Sequence, residues 1–143
     1  QADGNRRRLM VFLDTSGLVA WVSVRERLHG RAQAVYSSLT EKRVTTDAVL
    51  SEVASLLSPA SQRWLAVRVK DAIDRARDLG IVDVVHADQS LIRRAWELYR
   101  DRPDKDYSLV DCMSFLVMRE RGILRAFAHD HHFEQEGFVR LIQ

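Results

Sequence analysis

An α/β domain, with a mostly parallel sheet of about five strands flanked by helices, is the fold this sequence predicts. Three observations carry that prediction. Short apolar runs such as Leu9 to Leu13 have the unbroken hydrophobicity of strands buried on both faces, as parallel strands are. These runs alternate with segments whose apolar residues recur at helical spacing, the pattern of β-α-β crossovers. The chain is 143 residues long, enough for one substantial core, and shows no internal repeat, linker or second domain.

Residues 1–8, QADGNRRR, are polar and aperiodic and read as a flexible tail or a non-native remnant; the domain runs from 9 to 143. Leu9 to Leu13 is the first strand. Asp14-Thr15-Ser16-Gly17 then turns into a helix through about Arg27, with Thr15 or Ser16 as N-cap. A second helix follows Gly30, with Ala32, Val35, Tyr36 and Leu39 on one face. Arg43 to Thr46 is a short strand and Asp47 to Leu57 a helix. Ser58 and Pro59 are expected as N-cap and first residue of the next helix, which carries Leu65, Val69, Ala72, Ile73, Ala76 and Leu79 inward and ends at Gly80. Ile81 to Val85 is a strand, and Asp88 caps a helix with Leu91, Ile92, Ala95, Trp96 and Tyr99 on its inner face. After the polar loop Asp101 to Asp106 come an apolar helix from Ser108 to Arg121, a strand from Leu124 to Ala128, a helical turn from Asp130 to Gln135 and a last strand from Phe138 to Ile142.

Composition removes several functional classes. The longest apolar runs are five residues, so no segment spans a bilayer. Arg6 to Arg8 precede one such run, but it is too short for a signal peptide and ends at Asp14, so a cytoplasmic protein is expected. Cys112 is the only cysteine, which excludes an internal disulfide and a cysteine metal cage. The net charge is only +2, yet arginine supplies 19 of the 22 basic residues, Lys42, Lys70 and Lys105 being the others. Arginine suits phosphate, but GC-rich codons also favour it, so composition permits a nucleic-acid partner without indicating one.

The acidic residues say more. Open α/β sheets bind ligands at the carboxyl ends of their strands. Asp14 follows the first strand directly and Asp130 lies just beyond the fourth, so both fall on that rim. Asp111 sits within Leu109-Val110-Asp111-Cys112-Met113, where an ionised carboxylate is costly unless a cation pairs with it. Glu52 repeats the anomaly more weakly. Each has a structural reading: Asp14 and Asp130 as helix caps, Asp111 at the third helical position of a capping box begun by Ser108, Glu52 as a solvated helix residue. Four carboxylates converging on one rim would instead need a counter-ion, and oxygen ligands favour a hard cation such as Mg²⁺.

Four motifs then occur in order. Val11-Phe12-Leu13-Asp14-Thr15-Ser16 opens the chain, helical Glu52 follows, Asp106-x-Ser108-Leu109-x-Asp111-x-x-Ser114-Phe115 is the third, and Asp130-x-His132-Phe133 with Gly137-Phe138 closes it. They resemble the motifs of the PIN-domain nucleases and, among these, the VapC-type toxins of type II toxin–antitoxin pairs. The resemblance implies a Mg²⁺- or Mn²⁺-dependent endoribonuclease with Asp14, Glu52, Asp111 and Asp130 at the metal site, an RNA substrate, a cognate antitoxin covering the groove, and a homodimer. It departs at Ala128, where the family often has Thr or Ser.

Thr15, Ser16, Asp106 and Ser108 lie beside these acids and are candidates for supporting roles; for Thr15 and Ser16 the competing reading is a helix cap. His129, His131 and His132 invite zinc, but lack the i, i+4 histidine pair of helical zinc sites, and read instead as a surface turn. Cys112 reads as an inert core thiol, and Trp21, Trp64 and Trp96 as core or interface residues. Arg93, Arg94, Arg119 and Arg121 are solvated faces or phosphate contacts. Two other functions fit parts of the pattern. One is a phosphotransferase forming an aspartyl-phosphate on Asp14, although such enzymes want a second Asp where Ser16 stands. The other is a PIN-like scaffold that binds RNA or protein without turnover.

Overall fold

The computed structural model describes residues 9–143; the tail expected over residues 1–8 lies outside the described residues. Five strands form one sheet: β1 (Val11–Leu13), β2 (Arg43–Thr46), β3 (Val82–Val85), β4 (Arg125–Phe127) and β5 (Val139–Arg140). Their spatial order is β3-β2-β1-β4-β5 and every pairing is parallel, as the wholly apolar runs predict. Among the described residues seven helices accompany them: α1 (Thr15–Val22), α2 (His29–Ser38), α3 (Asp47–Leu56), α4 (Arg63–Asp78), α5 (Gln89–Asp101), α6 (Leu109–Arg121) and α7 (His132–Gln135).

The winding reverses beside the central strand. From β1 the chain builds outward through β2 to β3, then crosses back to lay β4 on the other side of β1. The crevice of such a sheet opens where the order reverses, at the carboxyl ends of β1 and β4. Phe12, Phe115, Phe127 and Phe133 are fully buried around this point, each contributing roughly 1.5–3 kcal/mol by leaving water. The rings of Phe115 and Phe133 meet edge-on, 5.1 Å apart.

Several boundaries differ from expectation. The N-cap of α1 is Asp14, the cap role also read for it from the sequence, and not Thr15 or Ser16. The helix stops at Val22 because its buried face would next have required Arg25 and Glu26 to be interior. Ser58 and Pro59 do not start α4; the Pro59 carbonyl accepts from the Gln62 and Arg63 amides in a turn, and the helix begins at Arg63. The fixed φ of proline serves a turn as well as a helix start. Gly80 does end α4, with a positive φ of 73°. Leu79, Trp96 and Tyr99, expected inward, are exposed, as is Trp64; Leu98 takes the inner position on α5. Among the described residues, no helix is long and apolar enough to cross a membrane.

Candidate active site

Two strands deliver their carboxylates with no intervening loop. β1 ends at Leu13, and Asp14 caps α1 by accepting from the Ser16 amide and hydroxyl at Oδ2, at 3.0 and 2.7 Å. β2 ends at Thr46, whose hydroxyl accepts from the Val49 amide and so starts α3, the helix that carries Glu52. Thr45, beside it, donates to the Leu13 carbonyl at 2.8 Å and ties the ends of the two strands together. Gly17 lets α1 approach β4 this closely: a Cβ there would lie 2.0 Å from the Phe127 carbonyl oxygen.

Asp111 enters from α6. Ser108 and Asp111 form a complete capping box, and Asp111 is nonetheless buried among Cys112, Met113 and Ser114. Asp130 comes from the loop after β4. Its Oδ1 accepts from the His132 amide at 3.1 Å, and its Oδ2 lies 3.1 Å from His132 Nδ1. The same Nδ1 is 3.0 Å from Asp111 Oδ2, so the ring sits between two carboxylates. His132 was expected in a surface turn; its side chain is only 14% exposed, whereas His131 does face solvent.

These groups share one cleft of about 270 Å³, lined by Asp14, Glu52, Asp111, Asp130 and His132 together with Thr15, Ser16, Asp106 and Ser108. All eight residues singled out from the sequence therefore line it. Asp106 is exposed at its edge, and Ser108 serves as the α6 cap. Ser16 does more than hold Asp14, because its hydroxyl also accepts from the His129 amide at 3.2 Å. The loop after β4, which lacks a hydroxyl at Ala128, thus receives one from α1.

The electrostatics are those of an acidic site short of positive charge. Burial, and then repulsion from Asp111 and Glu52, push the Asp14 carboxyl up to about 7, although the Ser16 hydrogen bonds oppose the shift. Asp111 is also raised, chiefly by burial and in part by Asp130, against the hydrogen bonds from Ser108 and His132. Glu52 is raised by burial, with Asp111 and Asp130 adding to it and Thr15 opposing. Asp14 Oδ1 is buried without a hydrogen-bond partner among the described residues. A buried carboxylate oxygen with no donor, beside three further acids, fits a hard divalent cation and is costly otherwise. Asp111, Asp130 and His132 also bring ligand atoms within 4.8 Å of one another.

Two features escaped the sequence. One is His132, whose role rests on a partner 21 residues away, although it stands in the closing motif. The other is Glu136, which accepts from Arg119 at 2.7 Å, Tyr107 at 2.9 Å and Arg102 at 3.2 Å. Burial opposes its charge, but these three donors hold its carboxyl below the usual range. They fasten the loop after α5 to the end of α6. Of the arginines singled out, Arg94 pairs with Glu120, Arg119 with Glu136 and Arg121 with Asp83, which leaves Arg93 without an ion pair among the described residues. Cys112 is fully buried with its thiol pushed up to about 11, an inert core group as expected.

Comparison with known proteins points the same way. A family model described as the PIN domain matches residues 11–138. The chain is 34% identical over 132 residues, 92% of its own length and 98% of the relative's, to a Mycobacterium tuberculosis protein named 23S rRNA-specific endonuclease VapC20, found under that name in two strains. The crystal structure of M. tuberculosis VapC20, described as a sarcin-ricin loop cleaving toxin, superposes with a TM-score of 0.81. It is 33% identical, and the match covers 93% of this chain and 99% of that one.

Proposed function

The chain belongs to the PIN-domain family, and from that premise we propose that it is a Mg²⁺- or Mn²⁺-dependent endoribonuclease, the toxin of a type II toxin–antitoxin pair. Asp14, Glu52, Asp111 and Asp130 are its metal-binding and catalytic carboxylates. The observation that carries the reading is the convergence of these four acids in one cleft at the reversal of the sheet, with Asp14 Oδ1 left without a donor.

A divalent cation held by Asp14, Glu52, Asp111 and Asp130 would supply the positive charge that polarises a phosphodiester and activates water near neutral pH. The rest belongs to the chain. Ser16 fixes one oxygen of Asp14 and leaves the other unpartnered. Ser108 and His132 do the same for Asp111, engaging Oδ2 alone. Thr15, whose hydroxyl faces Glu52, lies at the start of α1, and a helix N-terminus favours the charge of a phosphate. Glu52, half-buried with a raised carboxyl, would be the base that takes the proton an attacking water gives up.

The named activity of VapC20 supports one substrate, 23S rRNA cut at the sarcin–ricin loop, for this chain as well. An antitoxin protein, a homodimer and a cytoplasmic location complete the proposal. The purified chain, given Mg²⁺, should cut an RNA oligonucleotide of the sarcin–ricin stem-loop at one position and leave a scrambled stem-loop intact. Equal cutting of both would reject the substrate, and cutting of neither would reject the nuclease. Light scattering that gives a monomer across the micromolar range would reject the homodimer.

A further inference from the structure

His132 makes three contacts that join the acids to each other, one of them from Nδ1 to Asp130 Oδ2 at 3.1 Å. Its backbone N–H donates to Asp130 Oδ1 at 3.1 Å, and its Nδ1 reaches Asp111 Oδ2 at 3.0 Å. A carboxylate oxygen accepts and does not donate, so Nδ1 carries the hydrogen and is not a free ligand atom. The ring is held from behind: Tyr107 meets it edge-on with centroids 5.3 Å apart, and the Tyr107 hydroxyl is itself fixed on Glu136 at 2.9 Å. The contact spans two independent segments, since Asp111 rides on α6 and Asp130 on the loop between β4 and α7. Asp130 opposes the charge of Asp111, and like charges this close would splay apart without a group between them.

We propose that His132 is a positioning residue of this centre, setting the separation of Asp111 and Asp130 by holding Oδ2 of each about its ring Nδ1. Asp111 is thereby turned so that Oδ2 is engaged by Ser108 and His132 while Oδ1 accepts no hydrogen bond among the described residues. The inference rests on reading the cleft as a divalent-metal site, and it goes further by assigning the preorganisation of that site to one side chain. Outer groups that orient metal ligands commonly set affinity by 10- to 100-fold.

The test is a calorimetric titration with Mn²⁺ of the wild type, His132→Leu and His132→Asn, each first melted without metal. Asparagine can place an amide N–H near the position of Nδ1; leucine fills the space without a donor. We expect the leucine variant to melt cooperatively, to bind Mn²⁺ about 10- to 100-fold more weakly, and to recover RNA cleavage as Mn²⁺ is raised, because every carboxylate is still present. The asparagine variant should regain most of the affinity. If leucine does not melt cooperatively, His132→Ala carries the same comparison. Leucine or alanine binding as tightly as wild type or tighter would make His132 a bystander or a competing cation and overturn the proposal, as would an asparagine variant no better than leucine. A wild type that binds no Mn²⁺ would instead remove the metal reading itself, and this inference with it.

Discussion

Ser108 and Asp111 hold each other reciprocally: Ser108 Oγ accepts from the Asp111 amide at 3.0 Å, and Asp111 Oδ2 accepts from the Ser108 amide at 3.1 Å. A cap and a cleft carboxylate look like rival identities for Asp111 in the sequence, yet the structure gives it both. One oxygen serves the helix start and the residue still lines the acidic cleft.

The two roles separate by mutation. Ser108→Ala should cost about 1 kcal/mol of stability and leave the metal-induced rise in melting temperature in place. Asp111→Asn keeps an acceptor for the Ser108 amide and removes one of four mutually repelling charges. Without metal its melting temperature should be unchanged or higher, while the metal-induced rise shrinks and cleavage falls to background. Parallel melting curves in EDTA and in Mg²⁺ check both variants. A normal metal response in Asp111→Asn would reduce Asp111 to a cap.

The metal-free protein should lose stability as pH rises. A carboxyl raised on folding binds its proton more tightly in the native state, so its contribution is present below its ordinary value and is lost as pH climbs through the folded one. For Asp14 that window runs from about 4 to about 7, and the raised carboxyls of Glu52 and Asp111 act in the same direction. Melting temperature in EDTA should fall across this range, and Asp14→Asn should flatten the fall. Because metal competes with the same proton, stabilisation by Mg²⁺ should grow over the same window. A melting temperature rising from pH 4 to 7 in EDTA would mean the acids are neutralised by other means.

Gly17→Ala tests the seating of α1 on β4. Its added carbon meets the Phe127 carbonyl, which is backbone in a central strand and cannot rotate away. The cost should be at the upper end of the ~1–3 kcal/mol typical of overpacking, despite alanine's better helix propensity. Denaturant unfolding measures it. A neutral or stabilising effect would mean the close approach is not required.

RNA binding should be strongly salt-dependent. Arg25, Arg27, Arg31, Arg68, Arg75, Arg93 and Arg100 make no ion pair among the described residues. Using Asp14→Asn to prevent cutting, the logarithm of affinity should fall linearly with the logarithm of salt, with a slope of several units if several phosphates are neutralised. A flat dependence would assign the arginine excess to codon usage.

What the sequence made legible is what local chemistry determines. The apolar Val11-Phe12-Leu13 run fixes a buried strand, and a strand that ends in Asp-Thr-Ser begins a helix at once; Asp14 is on the rim for that reason. Asp88 and Ser108, read as caps, do cap their helices through side chains that lie next to them in the chain. What was missed depends on partners distant in sequence. His132 reads as a turn residue until Asp111 is brought to it, and Glu136 carries no signal of its own until Arg102, Tyr107 and Arg119 surround it. Periodicity also misjudged Trp96 and Tyr99, because it registers an apolar stripe without revealing whether another element covers it.

The central claim, that Asp14, Glu52, Asp111 and Asp130 form one metal-dependent ribonuclease centre, is tested most directly by cleavage of 23S rRNA under single-turnover conditions. Wild type is compared, with Mg²⁺ and with excess EDTA, against Asp14→Asn, Glu52→Gln, Asp111→Asn and Asp130→Asn. The account predicts cleavage by wild type with Mg²⁺ alone, a loss of at least about 100-fold in each variant, and nothing above background in EDTA. Cleavage undiminished by EDTA, or a wild-type rate in any one of the four variants, would contradict it.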